Sequence, residues 1–167
     1  MTAKVAVLMG SRSDLPKIQD TIDTLREFEV PHTVRVMSAH RTPGVVREFA
    51  ETAAERGFRV LIAAAGSAAH LAGALAAHSP LPIIGIPVEG GSFNGLDALL
   101  STVQMPGGVP VATVGVGRGG AKNAALLAVQ ILALDDPELA TRFHEFRARN
   151  QDQVARADAE LQNELTT

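Results

Sequence analysis

Cysteine, tryptophan and tyrosine are all absent from this chain of 167 residues. Without cysteine there are no disulfides, no thiolate metal sites and no sulfur nucleophile, and the chain has no need of an oxidising compartment. Any chemistry falls to His, Ser, carboxylates or backbone. Without Trp or Tyr, a flavin- or nucleotide-binding module, a role that doubly wound sheets often serve, lacks those rings to stack on a flavin. A basic excess is missing too: 15 Lys and Arg stand against 18 Asp and Glu, for a net charge of -3. That is no footprint for a nucleic-acid backbone. Nor does any run approach the roughly 20 uninterrupted apolar residues of a membrane span. The apolar stretch Val5 to Met9 is also too short for a signal-peptide core, so the expected location is the cytoplasm.

What the chain does have is 46% hydrophobic residues, enough to bury roughly two-thirds of the unfolded surface at this length. The expectation is a single domain over 1–167. Short apolar or β-branched runs alternate with helical patterns. Lys4 to Met9, Thr33 to Met37, Val60 to Ala65, Ile83 to Ile86 and Val111 to Val114 read as strands. Strands joined through helices cross right-handed, which predicts an α/β three-layer α/β/α sandwich around a five-stranded parallel sheet. Ligands in such sheets sit beyond the carboxyl ends of the strands.

Lys17 to Phe28 carries Ile18, Ile22, Leu25 and Phe28 at helical spacing, and a second amphipathic helix spans about Pro43 to Arg56, with Gly57 suited to a left-handed cap. Ala68 to Ala77 and Ala121 to Leu134 are small or apolar nearly all round. Such helices need cover on several sides, which predicts contacts with other subunits. The tail from about 137 to 165 is helical, apolar at Leu139, Phe143 and Phe146 and then polar. It reads either as a solvated helix or as an arm on a neighbouring subunit.

Candidate chemistry gathers where strands end. After the first strand come Gly10, Ser11, Arg12, Ser13 and Asp14, which offer amides and hydroxyls at a helix N-terminus. These residues suit an anion, but Ser13 or Asp14 as a helix cap by itself explains them well. The second strand ends in Ser38, Ala39, His40 and Arg41. An imidazole suits proton transfer near neutrality, and a guanidinium can grip a phosphate with its fork. After the third strand, Gly66, Ser67, Ala69, His70 and Leu71 form a small-residue turn that lets backbone approach a ligand. His70 can serve that site or be a buried His satisfied by a carbonyl. Gly115, Gly117, Gly119 and Gly120 have the spacing of a glycine loop but lack the acidic partner of a dinucleotide site. They read as a turn into the next helix.

Together, MGSRSD, SAHRTP, AGSAAHLAG, and GLDALLSTVQMPGGVPVATVGVG followed by AKNAALLAVQILAL resemble the bacterial N5-carboxyaminoimidazole ribonucleotide mutases of purine synthesis, from Val5 to about Gln151. The resemblance implies a flavodoxin-like fold and a homo-octamer. It implies an isomerase that decarboxylates its ribonucleotide substrate and recaptures CO2 on the ring carbon, without metal or organic cofactor. It gives His40 the proton transfers and matches Ser11, Asp14 and Arg41 to substrate-binding positions. Electrostatics then suggests Arg41 with the Ser11 and Ser13 hydroxyls for the 5′-phosphate and Asp14 for ribose hydroxyls. A related branch carboxylates aminoimidazole ribonucleotide directly, typically with Lys where Arg41 stands and a third motif nearer GRSNALSG. Arg41 and His70 favour the mutase branch. Ser67 replaces a common glycine, Ala72 a common proline, and Glu89 to Asn94 departs from the usual sequence of a loop expected to border the site.

Overall fold

The computed structural model describes residues 3–166. Its sheet contains β1 (Val5–Met9), β2 (His32–Val36), β3 (Val60–Gly66), β4 (Ile83–Val88) and β5 (Ala112–Thr113), all parallel, in the order β2-β1-β3-β4-β5. Six α-helices accompany them: α1 (Gln19–Glu27), α2 (Pro43–Thr52), α3 (Leu71–Ala76), α4 (Leu96–Val103), α5 (Gly117–Ala133) and α6 (Pro137–Thr166).

Strand β1 shows why the layers form. All five of its residues are buried, as parallel strands covered on both faces require. Val5, Val7 and Met9 join a core with Leu25, Ala125, Val129 and Phe146 from α1, α5 and α6. Ala6 and Leu8 join the opposite core with Val46, Phe49, Leu71 and Leu75 from α2 and α3. The expected α/β/α flavodoxin-like sandwich is therefore what the chain adopts. At full burial each large aliphatic side chain contributes about 1.5–3 kcal/mol.

Several boundaries differ from the sequence pattern. The helix expected from Lys17 begins as a 3-10 segment at Arg12–Ile18 that contains Pro16 and gives way to α1 at Gln19. Proline offers no N–H to a regular α-helical ladder, and tight 3-10 turns commonly fill such places. The second amphipathic helix stops as regular α at Thr52, yet its end is closed where expected. Gly57 has φ 88°, and the N–H of Phe58 reaches Ala53 O at 3.2 Å while that of Gly57 reaches Ala54 O at 3.0 Å. This paired closure is a Schellman motif.

The two over-apolar helices are covered within the subunit in part, while Leu126, Leu127 and Ile131 of α5 and Ala74 and Ala76 of α3 stay partly open. In α5, Ala121, Ala124, Ala125, Ala128, Val129 and Leu132 are buried, because α5 lies between the sheet and α6 and is covered from both sides. Phe28 meets Phe146 at 5.5 Å and Phe143 at 6.2 Å between ring centroids, tying α6 to the end of α1. In α3, Leu71, Ala72 and Leu75 are buried. Apolar surface is exposed elsewhere, on α4 and along the outer half of α6, where every described residue from 147 onward is exposed.

Candidate active site

In the strand order β2-β1-β3, the chain leaves β1 in one direction for β2 and returns to the other side for β3. The crevice beyond β1 and β3 is the place where such sheets bind ligands. The loops after β1, β2 and β3 meet there, joined by the loop after β4, around a cavity of about 470 Å³.

After β1, Ser11 caps the 3-10 segment. Its Oγ accepts from the Ser13 N–H at 3.3 Å and from the Ser13 hydroxyl at 2.8 Å. Capping thus falls to Ser11, not to Ser13 or Asp14. After β2, the turn closes on itself: Thr42 Oγ1 accepts from the Ser38 N–H at 2.9 Å and donates to Ser38 O at 3.1 Å. Thr42 therefore makes no side-chain cap for α2. The turn holds Arg41 so that its Nη2 donates to Gly10 O at 2.7 Å, bridging the ends of β2 and β1.

His40 and His70 come from loops thirty residues apart, yet Nε2 of one lies 2.7 Å from Nδ1 of the other. Their rings are nearly perpendicular, at 81°. Both side chains are exposed toward the cavity mouth, so the reading of His70 as a buried His held by a carbonyl is wrong. Asp14 is half-buried. Burial pushes its carboxyl above the ordinary 3.8, opposed by a backbone hydrogen bond at Ser11 and by the charges of Lys17 and Arg41. The wall thus combines a carboxyl, two cations and a His pair.

A polar crevice of this kind is open to many ligands, and comparison with known proteins narrows it. Residues 4–153 match the family described as AIR carboxylase. This chain belongs to the AIR carboxylase family. Among its relatives, the N5-carboxyaminoimidazole ribonucleotide mutase of Mycobacterium tuberculosis (strain CDC 1551 / Oshkosh) is 55% identical over 95% of this chain and 90% of its own length. That of Bacillus subtilis (strain 168) is 50% identical over 96% and 99%. The crystal structure of Treponema denticola PurE superposes with a TM-score of 0.84 at 30% identity, covering 94% of this chain and 97% of that one.

Of the residues singled out in this member of the AIR carboxylase family, Ser11, Asp14, Ser38, Ala39, His40, Arg41, Gly66, Ser67, His70 and Leu71 line the cavity together. Two others lie apart. Ser13 spends its hydroxyl on Ser11, and Ala69 is 1% exposed within the fold. Ser67 adopts φ 54°, a left-handed backbone that the family's common glycine reaches without a Cβ clash. The wall also includes Lys17, Val88, Glu89, Gly90 and Gly91. The divergent 89–94 loop does border the site at its first three residues. Lys17 had one available signal, its position one turn after Asp14.

Proposed function

We propose that the chain is an N5-carboxyaminoimidazole ribonucleotide mutase, an isomerase of purine biosynthesis. The observation that carries this reading is the identity of 50–55% over nearly the whole chain with relatives of that name. The cavity adds a consistent chemistry.

In the first half of the reaction, the exocyclic N–C bond breaks, its electron pair stays on nitrogen, and CO2 leaves as nitrogen takes a proton from His40. In the second half, the ring carbon attacks CO2, the C–C bond forms, and the displaced ring proton returns to His40. One imidazole serves both steps. The contact from Nε2 to His70 supports this role by fixing the ring and leaving Nδ1 for substrate. Arg41 and the Ser11 hydroxyl bind the 5′-phosphate, and Asp14 accepts from ribose hydroxyls. Ser38, Ala39, Gly66, Ser67 and Leu71 shape the walls, while Ser13 and Ala69 act only by supporting Ser11 and the turn after β3. Enclosure keeps CO2 beside the carbon that captures it.

The rearrangement is redox-neutral and transfers no phosphoryl group, so side chains suffice and no cofactor is proposed. We further propose one catalytic domain, assembled as a cytoplasmic homo-octamer with α6 packed on a neighbouring subunit. No helix among the described residues is long and apolar enough to cross a membrane. The test is incubation with N5-carboxyaminoimidazole ribonucleotide, or with aminoimidazole ribonucleotide plus bicarbonate, followed by detection of ring-carboxylated product. A mutase makes product from the first without added bicarbonate. A direct carboxylase requires the second.

A further inference from the structure

Lys17 lies at the end of the 3-10 segment that follows β1, and its Nζ donates to Glu89 O at 2.5 Å, across 72 residues of sequence. Strands β1 and β4 are not neighbours, since β3 runs between them. The lysine side chain therefore crosses the carboxyl end of β3 and joins the two sides of the cavity. Its partner segment has little else to hold it. Residues 89–94 are all exposed, and φ is 153° at Gly90 and 64° at Gly91. Among the described residues, the one side-chain hydrogen bond to this segment comes from Lys17. The packing there is close: a Cβ on Gly90 would stand 3.3 Å from Lys17 Nζ. Asp14, on the same segment, is near enough for the Lys17 charge to act on its carboxyl.

We propose that Lys17 is a positioning residue for the carboxylate migration, latching Glu89–Gly91 across the cavity so that CO2 stays inside between its release and its recapture. This inference rests on the mutase reading. It assigns the latch to a carbonyl rather than to substrate: a charged donor on a flexible stem reaches a loop whose own backbone, rich in glycine, would otherwise open. Opening would let the small neutral intermediate exchange with the solvent pool before the ring carbon captures it.

The experiment supplies unlabelled N5-carboxyaminoimidazole ribonucleotide in 13C-bicarbonate kept in equilibrium with CO2, and reads the labelled fraction of ring-carboxylated product at early times. The parent should retain its own carboxylate and give mostly unlabelled product. Lys17→Met should raise the labelled fraction several-fold, Lys17→Arg should restore retention, and Gly90→Ala should leak like Lys17→Met because a side chain at φ 153° strains the latched loop beside Lys17. If the parent product carries the full solvent label, the mutase reading itself fails. If the parent retains its carboxylate and both Lys17→Met and Gly90→Ala retain it equally, the latch is overturned. A higher KM for Lys17→Met with unchanged labelling also overturns it, because that pattern belongs to direct substrate contact. Should Lys17→Met fail to fold, Gly90→Ala alone decides.

Discussion

His40 Nε2 stands 2.7 Å from His70 Nδ1 with the two rings at 81°, so one nitrogen must donate and the other accept. His70 thereby fixes the orientation of His40 and couples the tautomers of the two rings. A hydrogen bond of this kind contributes about 0.5–1.5 kcal/mol net. His70→Ala is therefore expected to lower kcat by roughly 2–10-fold, with little change in substrate affinity. An unaltered kcat would remove the orienting role.

Arg41 is poised at the junction of β1 and β2, held by Gly10 O and near Ser38 Oγ at 3.5 Å. Losing a charge-assisted contact with the phosphate costs about 1.5–3 kcal/mol, so Arg41→Ala should weaken binding by roughly 10–100-fold while the unfolding temperature stays near the parent's. Arg41→Lys should recover only part, since it keeps the charge and loses the fork. Binding should also weaken in high salt. Titration of substrate analogue by calorimetry checks all three.

The raised carboxyl of Asp14 makes a prediction about pH. The folded state holds this proton to higher pH than the unfolded chain does, so just above 3.8 the folded state binds more protons. The contribution of Asp14 is fully present below the unfolded value and is lost as pH rises through the folded one. Asp14→Asn escapes that loss. Its unfolding temperature relative to the parent should climb from acid toward neutral pH, while its activity drops. A flat difference across that range would show that burial does not strain this carboxyl.

How far these features could be read from sequence depends on the distance over which each is decided. The five buried residues of β1 and the ladder positions beside them follow from local apolar runs. The convergence of His40, Arg41 and His70 follows from strand ends brought to one edge. Ser13 and Ala69 stand off the cavity wall, Ser13 exposed with its hydroxyl on Ser11 and Ala69 turned into the fold, a distinction that composition does not reveal. The cover on α5 depends on Phe143 and Phe146 folding back from the next helix. The contact of Lys17 depends on a loop 72 residues later. No local pattern announces it.

Exposed apolar surface offers the proposed oligomer a further contact, on α4. Leu96, Leu100 and Val103 follow helical spacing along α4 and are 55%, 49% and 47% exposed, with Phe93 at 66% beside them. A stripe of this kind fits burial against another subunit. Leu100→Glu should yield smaller species by light scattering while circular dichroism stays native. Leu132→Glu, at a buried position in α5, should instead unfold the chain, as an unpaired buried charge does. A stable parental monomer at micromolar concentration would end the octamer proposal.

The decisive variant is His40→Asn. Asparagine approximates the size of the imidazole and can still hydrogen-bond toward His70, but it cannot carry a proton between nitrogen and carbon. His40 is exposed at the cavity mouth rather than packed in either core, so its replacement removes chemistry without opening a void. Substrate affinity and unfolding temperature should remain close to the parent's, while the single-turnover rate falls by about 100-fold or more, as expected for loss of a positioned acid–base group. A merely structural role would give the reverse, with a lowered unfolding temperature and normal turnover per folded molecule. All three measurements belong on one preparation. If His40→Asn binds, folds and turns over like the parent, the proton transfers pass to His70, the other imidazole that faces the cavity.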